Sequence, residues 1–278
     1  MTRLALGAVL ALSLLTAAAR PAASASPTLT LLAAGDVASC RSSGDEETAE
    51  LLARAPGTIA VLGDSVYERG TAEEFRRCYT PSWGRFRHRT KAALGNHEYG
   101  TGSAAAAIAY FRLPARGWYA YQLGAWRVIV LNSNCGAAGG CGRESPQWRW
   151  LRAELAAHQT GCTLAYWHHP RWSSGLHGSD RTLSDLWSLL ASARADVVLA
   201  GHDHHYERFA PIDGMRSFVV GTGGRSHYPV LRRLPASRAF NWTTYGVLRL
   251  TLRDGGYDWR FLPVAGSAYT DAGSGRCH

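Results

Sequence analysis

The chain has 278 residues, 46% of them hydrophobic, and a formal charge of +9. Beyond Met1–Ala25, no stretch approaches the roughly 20 consecutive apolar residues of a membrane span. The basicity is almost all arginine, with Lys91 the only lysine, and it forms neither a basic run nor an aromatic-interleaved patch. No specific nucleic-acid face is therefore expected.

Met1–Ala25 carries Arg3, an apolar run from Leu4 to Ala19 and the small-residue stretch Ala23-Ser24-Ala25, which reads as a secretory signal peptide cleaved after Ala25. The run is too short for a membrane anchor, so the mature chain, 26–278, is expected to be secreted as one catalytic domain without stable membrane insertion. Losing Arg3 and Arg20 lowers the formal charge from +9 to +7. A field of that sign favours an anionic substrate.

Five short apolar runs each stop at a polar residue able to bind metal: Leu29 to Asp36, Ile59 to Asp64, Ala92 to His97, Leu164 to His168 and Val197 to His202. Continuous apolar runs of this length predict strands buried on both faces, and ligands of open α/β sheets gather beyond the strands' carboxyl ends. The five ends are expected to converge on one edge. Helical patterns lie between: Glu46 to Ala55, Ala72 to Cys78, Ala104 to Phe111, Pro146 to Ala157 with Ser145 as N-cap, and Leu183 to Ala193 with Thr182 as N-cap. Tyr119 to Leu123, Arg127 to Asn132, Ser217 to Val220, Val247 to Leu252 and Tyr257 to Leu262 read as further strands. The alternation predicts an α/β fold, with the later strands forming a second sheet packed on the first and helices flanking both.

Six cysteines without a C-x-x-C pair favour disulfides in an exported protein. Sequence leaves the connectivity open, but Cys135 and Cys141 bracket a Gly-rich loop and Cys277 needs a distant partner. The pairing expected is Cys40–Cys78, Cys135–Cys141 and Cys162–Cys277.

Chemistry concentrates in Gly35-Asp36, Gly63-Asp64-Ser65-Val66-Tyr67, Gly95-Asn96-His97-Glu98, His168-His169-Pro170, His177 and Gly201-His202-Asp203-His204. Glycine precedes four of these groups, where it permits a sharp turn and close approach of backbone to an ion. Carboxylate, imidazole and amide donors without thiolate suit a catalytic pair of first-row metals better than structural zinc. Such a pair can activate a bridging hydroxide and stabilise both ends of an in-line displacement on phosphorus.

In the order of these blocks the chain resembles the calcineurin-like metallophosphoesterases. Gly63-Asp64-x-x-Tyr67, Gly201-His202-x-His204-x-Tyr206-Glu207-Arg208 and the spacing of His177 from His168 are similar to the purple acid phosphatases in particular. The resemblance implies a four-layer sandwich of two central sheets flanked by helices. The wider superfamily opens with D-x-H, but here Val37 and Ala38 follow Asp36, and Tyr67 matches the residue that fills the vacancy in purple acid phosphatases. Carried over position by position, the first metal takes Asp36, Asp64, Tyr67 and His204, and the second takes Asp64, Asn96, His168 and His202. Asp64 then bridges the pair. Fe³⁺ is expected at the first site, and Fe²⁺, Zn²⁺ or Mn²⁺ at the second.

The same resemblance implies that His97 and His177 sit outside the coordination sphere, as charge stabiliser and general acid respectively. His169 is expected to pack or hydrogen-bond, and Asp203, Tyr206, Glu207 and Arg208 to support the ligands from behind. The activity implied is acid-phosphatase-type hydrolysis of small phosphomonoesters. The rivals are a phosphodiesterase acting on nucleotides or phospholipid head groups and a catalytically dead anion-binding protein. Nothing in the sequence fixes an oligomeric state.

Overall fold

The computed structural model describes residues 1, 2, 4, 29–159, 161–230 and 232–278. Nearly all of the expected signal peptide lies outside them. In chain order the elements are β1 (Leu29–Ala34), β2 (Ala38–Ser39), α1 (Gly44–Arg54), β3 (Thr58–Leu62), β4 (Val66–Tyr67), α2 (Ala72–Glu74) and β5 (Thr90–Ala93). There follow α3 (Ala105–Phe111), β6 (Tyr119–Leu123), β7 (Trp126–Val130), α4 (Pro146–Ala157), β8 (Cys162–Tyr166), α5 (Ser184–Ser192) and β9 (Val197–Ala200). The chain finishes with β10 (Tyr206–Phe209), β11 (Arg216–Val220), β12 (Ser237–Asn241), β13 (Gly246–Arg253), β14 (Gly256–Pro263) and β15 (Ala272–Arg276).

One sheet has the order β15-β14-β13-β1-β3-β5, the other β12-β10-β11-β9-β8-β7-β6, and β2 pairs with β4. The five strands expected to share one sheet are therefore divided: β1, β3 and β5 lie in the first, β8 and β9 in the second. The expected later strands divide as well, β13 pairing onto β1 and β14 onto β13, while β6, β7 and β11 join β8 and β9. A run apolar on both faces says that it is buried but not which neighbour it pairs with.

Side chains of β7, β8 and β9 alternate strictly between two cores. Val128, Leu164, Tyr166, Val197 and Leu199 point into the core between the sheets, with Leu31, Leu248 and Leu250 from the first. Ile129, Ala165 and Val198 point the other way, onto Trp148 and Leu151 of α4 and Leu186 and Leu190 of α5. Leu52 of α1 closes the first sheet's outer face. The result is the expected α/β/β/α sandwich.

Ser145 caps α4 as expected, its side chain accepting the Trp148 N–H. Thr182 does not cap α5. Asp180 accepts the Thr182 N–H and opens a 3₁₀ turn over Arg181–Leu183 that leads into the helix, a carboxylate being the stronger acceptor for orphan N–H groups. The helix expected over Ala72 to Cys78 starts in a Thr71–Glu74 capping box and relaxes into a π turn over Phe75–Tyr79.

Disulfides join Cys40 to Cys78, Cys135 to Cys141 and Cys162 to Cys277, with Cα atoms 5.0, 5.2 and 5.3 Å apart. The last ties the penultimate residue to the start of β8. Among the described residues, no helix is long and apolar enough to cross a membrane.

Candidate metal centre

The carboxyl ends of β1, β3 and β5 meet those of β8 and β9 across the sandwich. Gly35 N–H donates to Val220 O at 2.8 Å, and the His168 ring reaches Leu62 O at 2.9 Å, so the two sheets are bonded at this end. The sharp turns fall on the candidate ligands themselves: Asp36, Asp64 and His202 have φ of 61°, 47° and 72°. Of the four preceding glycines, only Gly63 shares that conformation. Gly201 serves close approach instead, since a Cβ there would stand 2.7 Å from Asp36 Oδ2.

The candidate donors form two overlapping clusters. Tyr67 Oη lies 2.8 Å from Asp36 Oδ1, 3.0 Å from Asp64 Oδ2 and 3.2 Å from His204 Nε2. His204 Nε2 is also 3.2 Å from Asp36 Oδ1. In the second cluster, His168 Nε2 lies 3.2 Å from Asp64 Oδ2, 3.1 Å from Asn96 Oδ1 and 3.2 Å from His202 Nδ1. Asp64 Oδ2 belongs to both. All but His202 and Asn96, which are part-exposed, are buried.

Hydrogen bonding alone does not account for this crowding. Tyr67 Oη has one proton for three acceptors. The Leu62 carbonyl can only accept, so His168 carries a proton on Nδ1, and its Nε2, with at most one proton of its own, faces Asp64 Oδ2, Asn96 Oδ1 and His202 Nδ1 together. Donors about 2.1 Å from one cation and at right angles to each other lie about 3.0 Å apart, which is the spacing observed. The residues therefore fit two cations sharing Asp64.

The charges agree. Burial, then the Asp36 and Asp64 carboxylates, hold the Tyr67 phenol well above its usual range, so only a cation among the donors would keep it as phenolate. Burial opposes charge on His168, yet Asp64 pushes that ring up to about 9. Without a cation, a proton compensates the carboxylate; metal uptake displaces it.

His97 Nδ1–H donates to Glu68 O at 2.6 Å, which leaves Nε2 toward the centre, 3.9 Å from Asp64 Oδ2. The exposed His177 has its ring 4.4 Å from that of His202, and its backbone N–H donates to Asp203 Oδ1 at 2.9 Å. His169 bonds Ser133 Oγ at 2.8 Å.

Several residues beside the centre carry roles that the sequence reading did not assign. The buried Glu98 carboxylate accepts N–H groups of Asp64, Ser65 and Gly95 at 2.9, 2.6 and 2.6 Å, locking the G-D and G-N turns together. The G-N-H-E run that carries it was the only signal. Glu207, Tyr206 and Arg208, expected to support the ligands from behind, instead brace β10: Glu207 accepts from Ser174, and Arg208 with Tyr206 binds Asp271. The segment after Gly221-Thr222-Gly223-Gly224 supplies Ser226, 2.8 Å from His204 Nδ1, Tyr228, stacked on His204 at 4.1 Å, and Arg225, over the Tyr67 ring at 5.1 Å.

A family model described as calcineurin-like phosphoesterase matches residues 29–206. The chain belongs to this family. Among its curated family relatives is an uncharacterized Mycobacterium tuberculosis protein, Rv2577, 30% identical over 200 residues, covering 59% of this chain and 34% of that one. Tartrate-resistant acid phosphatase type 5 of Rattus norvegicus is 28% identical over 154 residues, covering 46% of this chain and 47% of that one. The chain thus spans between a third and a half of the length of these curated relatives. The solved purple acid phosphatase PPD1 of yellow lupin superposes with a TM-score of 0.73 at 20% identity, covering 90% of this chain and 54% of that one.

Proposed function

We propose that this chain is a secreted acid-phosphatase-type enzyme that hydrolyses phosphomonoesters at two metal ions. The observation that carries the reading is Asp64 Oδ2, which stands 3.0 Å from Tyr67 Oη on one side and 3.2 Å from His168 Nε2 on the other. One carboxylate oxygen common to two donor sets is what a bridged pair requires.

Asp36, Asp64, Tyr67 and His204 would hold the first ion. Their anionic oxygens favour a hard trivalent cation such as Fe³⁺. Asp64, Asn96, His168 and His202 would hold the second, with donors that suit Fe²⁺, Zn²⁺ or Mn²⁺. When bound, the pair supplies charge neutralisation for phosphate oxygens and lowers the pKa of water. His97, fixed by Glu68 O, directs a ring N–H at the phosphate. His177 stands on the open side and protonates the leaving oxygen. Hydrolysis breaks the bond between phosphorus and that oxygen, while water forms the new bond to phosphorus and gives up a proton. Three disulfides, with the leader expected at the N-terminus, support export of the mature chain as one catalytic unit.

The test compares metal content and hydrolysis of p-nitrophenyl phosphate and bis(p-nitrophenyl) phosphate by wild type and Asp64→Ala. Wild type is expected to hold two ions and prefer the monoester, and the variant to lose both metal and activity. A variant with unchanged metal and turnover would remove Asp64 from the centre. Preference for the bis ester would make the enzyme a diesterase, and a metal-free wild type would make it an anion-binding protein.

A further inference from the structure

Beside the metal centre lies a cavity of about 490 Å³ between the segment 173–176 and residues from Pro229 to Pro235. Each wall runs directly into a ring at the centre. Leu176 precedes His177 and Tyr228 precedes Pro229; the His177 and Tyr228 rings meet edge to face at 5.6 Å. Behind them stand the candidate ligands, His202 against His177 at 4.4 Å and His204 under Tyr228 at 4.1 Å. The cavity therefore begins where a group departing past His177 would go.

The walls are fixed to each other. Ser174 donates its hydroxyl to Glu207 Oε1 at 2.6 Å and accepts the Leu234 N–H at 2.8 Å. The lining is cationic and apolar together. Arg232 and Arg233 both contribute, and the carboxylates behind the lining, Asp203 and Glu207, are taken up by the Ser173 and Ser174 hydroxyls. Arg233 is held by Ser237 Oγ at 3.2 Å and lies over the Phe240 ring, whereas exposed Arg232 has no carboxylate partner among the described residues. Leu176 is 63% exposed, and among the described residues from Leu29 onward only Trp242 is another large apolar side chain left exposed.

We infer that this cavity receives the leaving group of the substrate, and that this group joins an apolar body to an anionic substituent of its own, phosphate or carboxylate. The inference rests on the phosphoesterase reading of the metal centre. A volume near 490 Å³ exceeds what a nitrophenol fills and falls in the range of organic ligand pockets, about 300–1,000 Å³. The exposed guanidinium groups of Arg232 and Arg233 give the second anion charge-assisted hydrogen bonds.

The experiment uses the metal-loaded full chain and two aryl phosphates that differ only in the end of a para chain, carboxylate in one and carboxamide in the other. Wild type is expected to favour the carboxylate by about tenfold in kcat/KM, mainly through KM, with the advantage shrinking as salt rises. Arg232→Gln should bring the ratio toward one, and Arg232→Glu should invert it. A wild-type ratio near one, or one that neither variant changes, overturns the inference while leaving the phosphoesterase intact. If neither aryl phosphate nor p-nitrophenyl phosphate is hydrolysed, the phosphoesterase reading fails and this one falls with it. Calorimetric binding of the dephosphorylated carboxylate product, tight in wild type and weak in Arg232→Glu, supplies a readout independent of turnover.

Discussion

Asp203 offers a sharp check on the role of His177. Its buried carboxylate accepts the His177 backbone N–H at 2.9 Å through Oδ1 and the Ser173 hydroxyl at 2.5 Å through Oδ2. Asp203→Ala removes both bonds at once. Hydrogen bonds to a charged group contribute about 1.5–3 kcal/mol each, so the 173–177 segment would lose on the order of 3–6 kcal/mol of anchoring. That far exceeds thermal energy, and the His177 ring is expected to leave its place against His202.

A general acid contributes roughly 10²–10⁴ when the leaving group needs a proton. With the acid displaced rather than deleted, kcat/KM for an alkyl phosphate should fall by about 10- to 100-fold. p-Nitrophenolate leaves readily without a proton, so its release should change little. The assay is kcat/KM for ethyl phosphate and p-nitrophenyl phosphate, with metal content measured on the same samples. Asp203→Asn, which keeps an oxygen toward the His177 N–H, should recover most of the loss. Equal losses on both substrates at full metal content would refute the reasoning, because Asp203 would then be acting through the metal ligands or the fold.

Tyr67→Phe should abolish the visible charge-transfer band expected of an iron-loaded preparation, while Asp36, Asp64 and His204 still surround the first site; a colourless, fully active wild type containing only zinc or manganese would exclude phenolate ligation. Burial pushes the Asp45 carboxyl up to about 7, and its Oδ1 has no partner. The folded state therefore holds that proton more tightly than the unfolded chain, so Asp45 favours folding most below about pH 4 and loses that contribution as pH rises toward 7. Asp45→Asn should gain Tm relative to wild type between pH 4.5 and pH 8; an unchanged difference would contradict the assignment. Thiol titration of the denatured, unreduced protein should find no free thiols, and two per chain would mean that one bridge is missing.

Asp36, Asp64, Asn96, His168 and His202 were legible because each sits where an apolar run ends, and a strand end is recognisable from hydrophobicity alone; Tyr67 and His204 were assigned through the family resemblance. What failed was the assignment of strands to sheets, since pairing depends on register between distant segments. β10, β12 and β15 were not recognised at all. In β10, Glu207 and Arg208 interrupt the apolar pattern, and only the tertiary partners Ser174 and Asp271 make a strand there tolerable. β15 has the sequence Ala-Gly-Ser-Gly-Arg, without a β-former, and survives because Trp259 and Tyr257 pack onto Gly273 and Gly275. Asp203 was visible as a residue beside the histidines, but its partners lie 26 and 30 positions away and no local pattern announces them.

The backbone at the centre fixes the donors through bonds among themselves. Asp36, Asp64 and His202 adopt left-handed φ, which costs an L-residue roughly 1–2 kcal/mol. A glycine at each place would relieve the strain and remove the donor. The strain is held by bonds among the same residues: His202 N–H donates to Asp36 Oδ2 and His97 N–H to Asp64 Oδ1, each at 2.8 Å. Each proposed bridging or terminal carboxylate therefore presents one oxygen to the donor cluster and uses the other to fix a neighbouring ligand turn. The strand ends that carry the donors are those of β1, β3 and β5 in the first sheet and of β8 and β9 in the second, so the site exists only when the sandwich is closed. Ion binding must then stabilise the pairing of the two sheets, and loss of the ions should loosen this end of the molecule first.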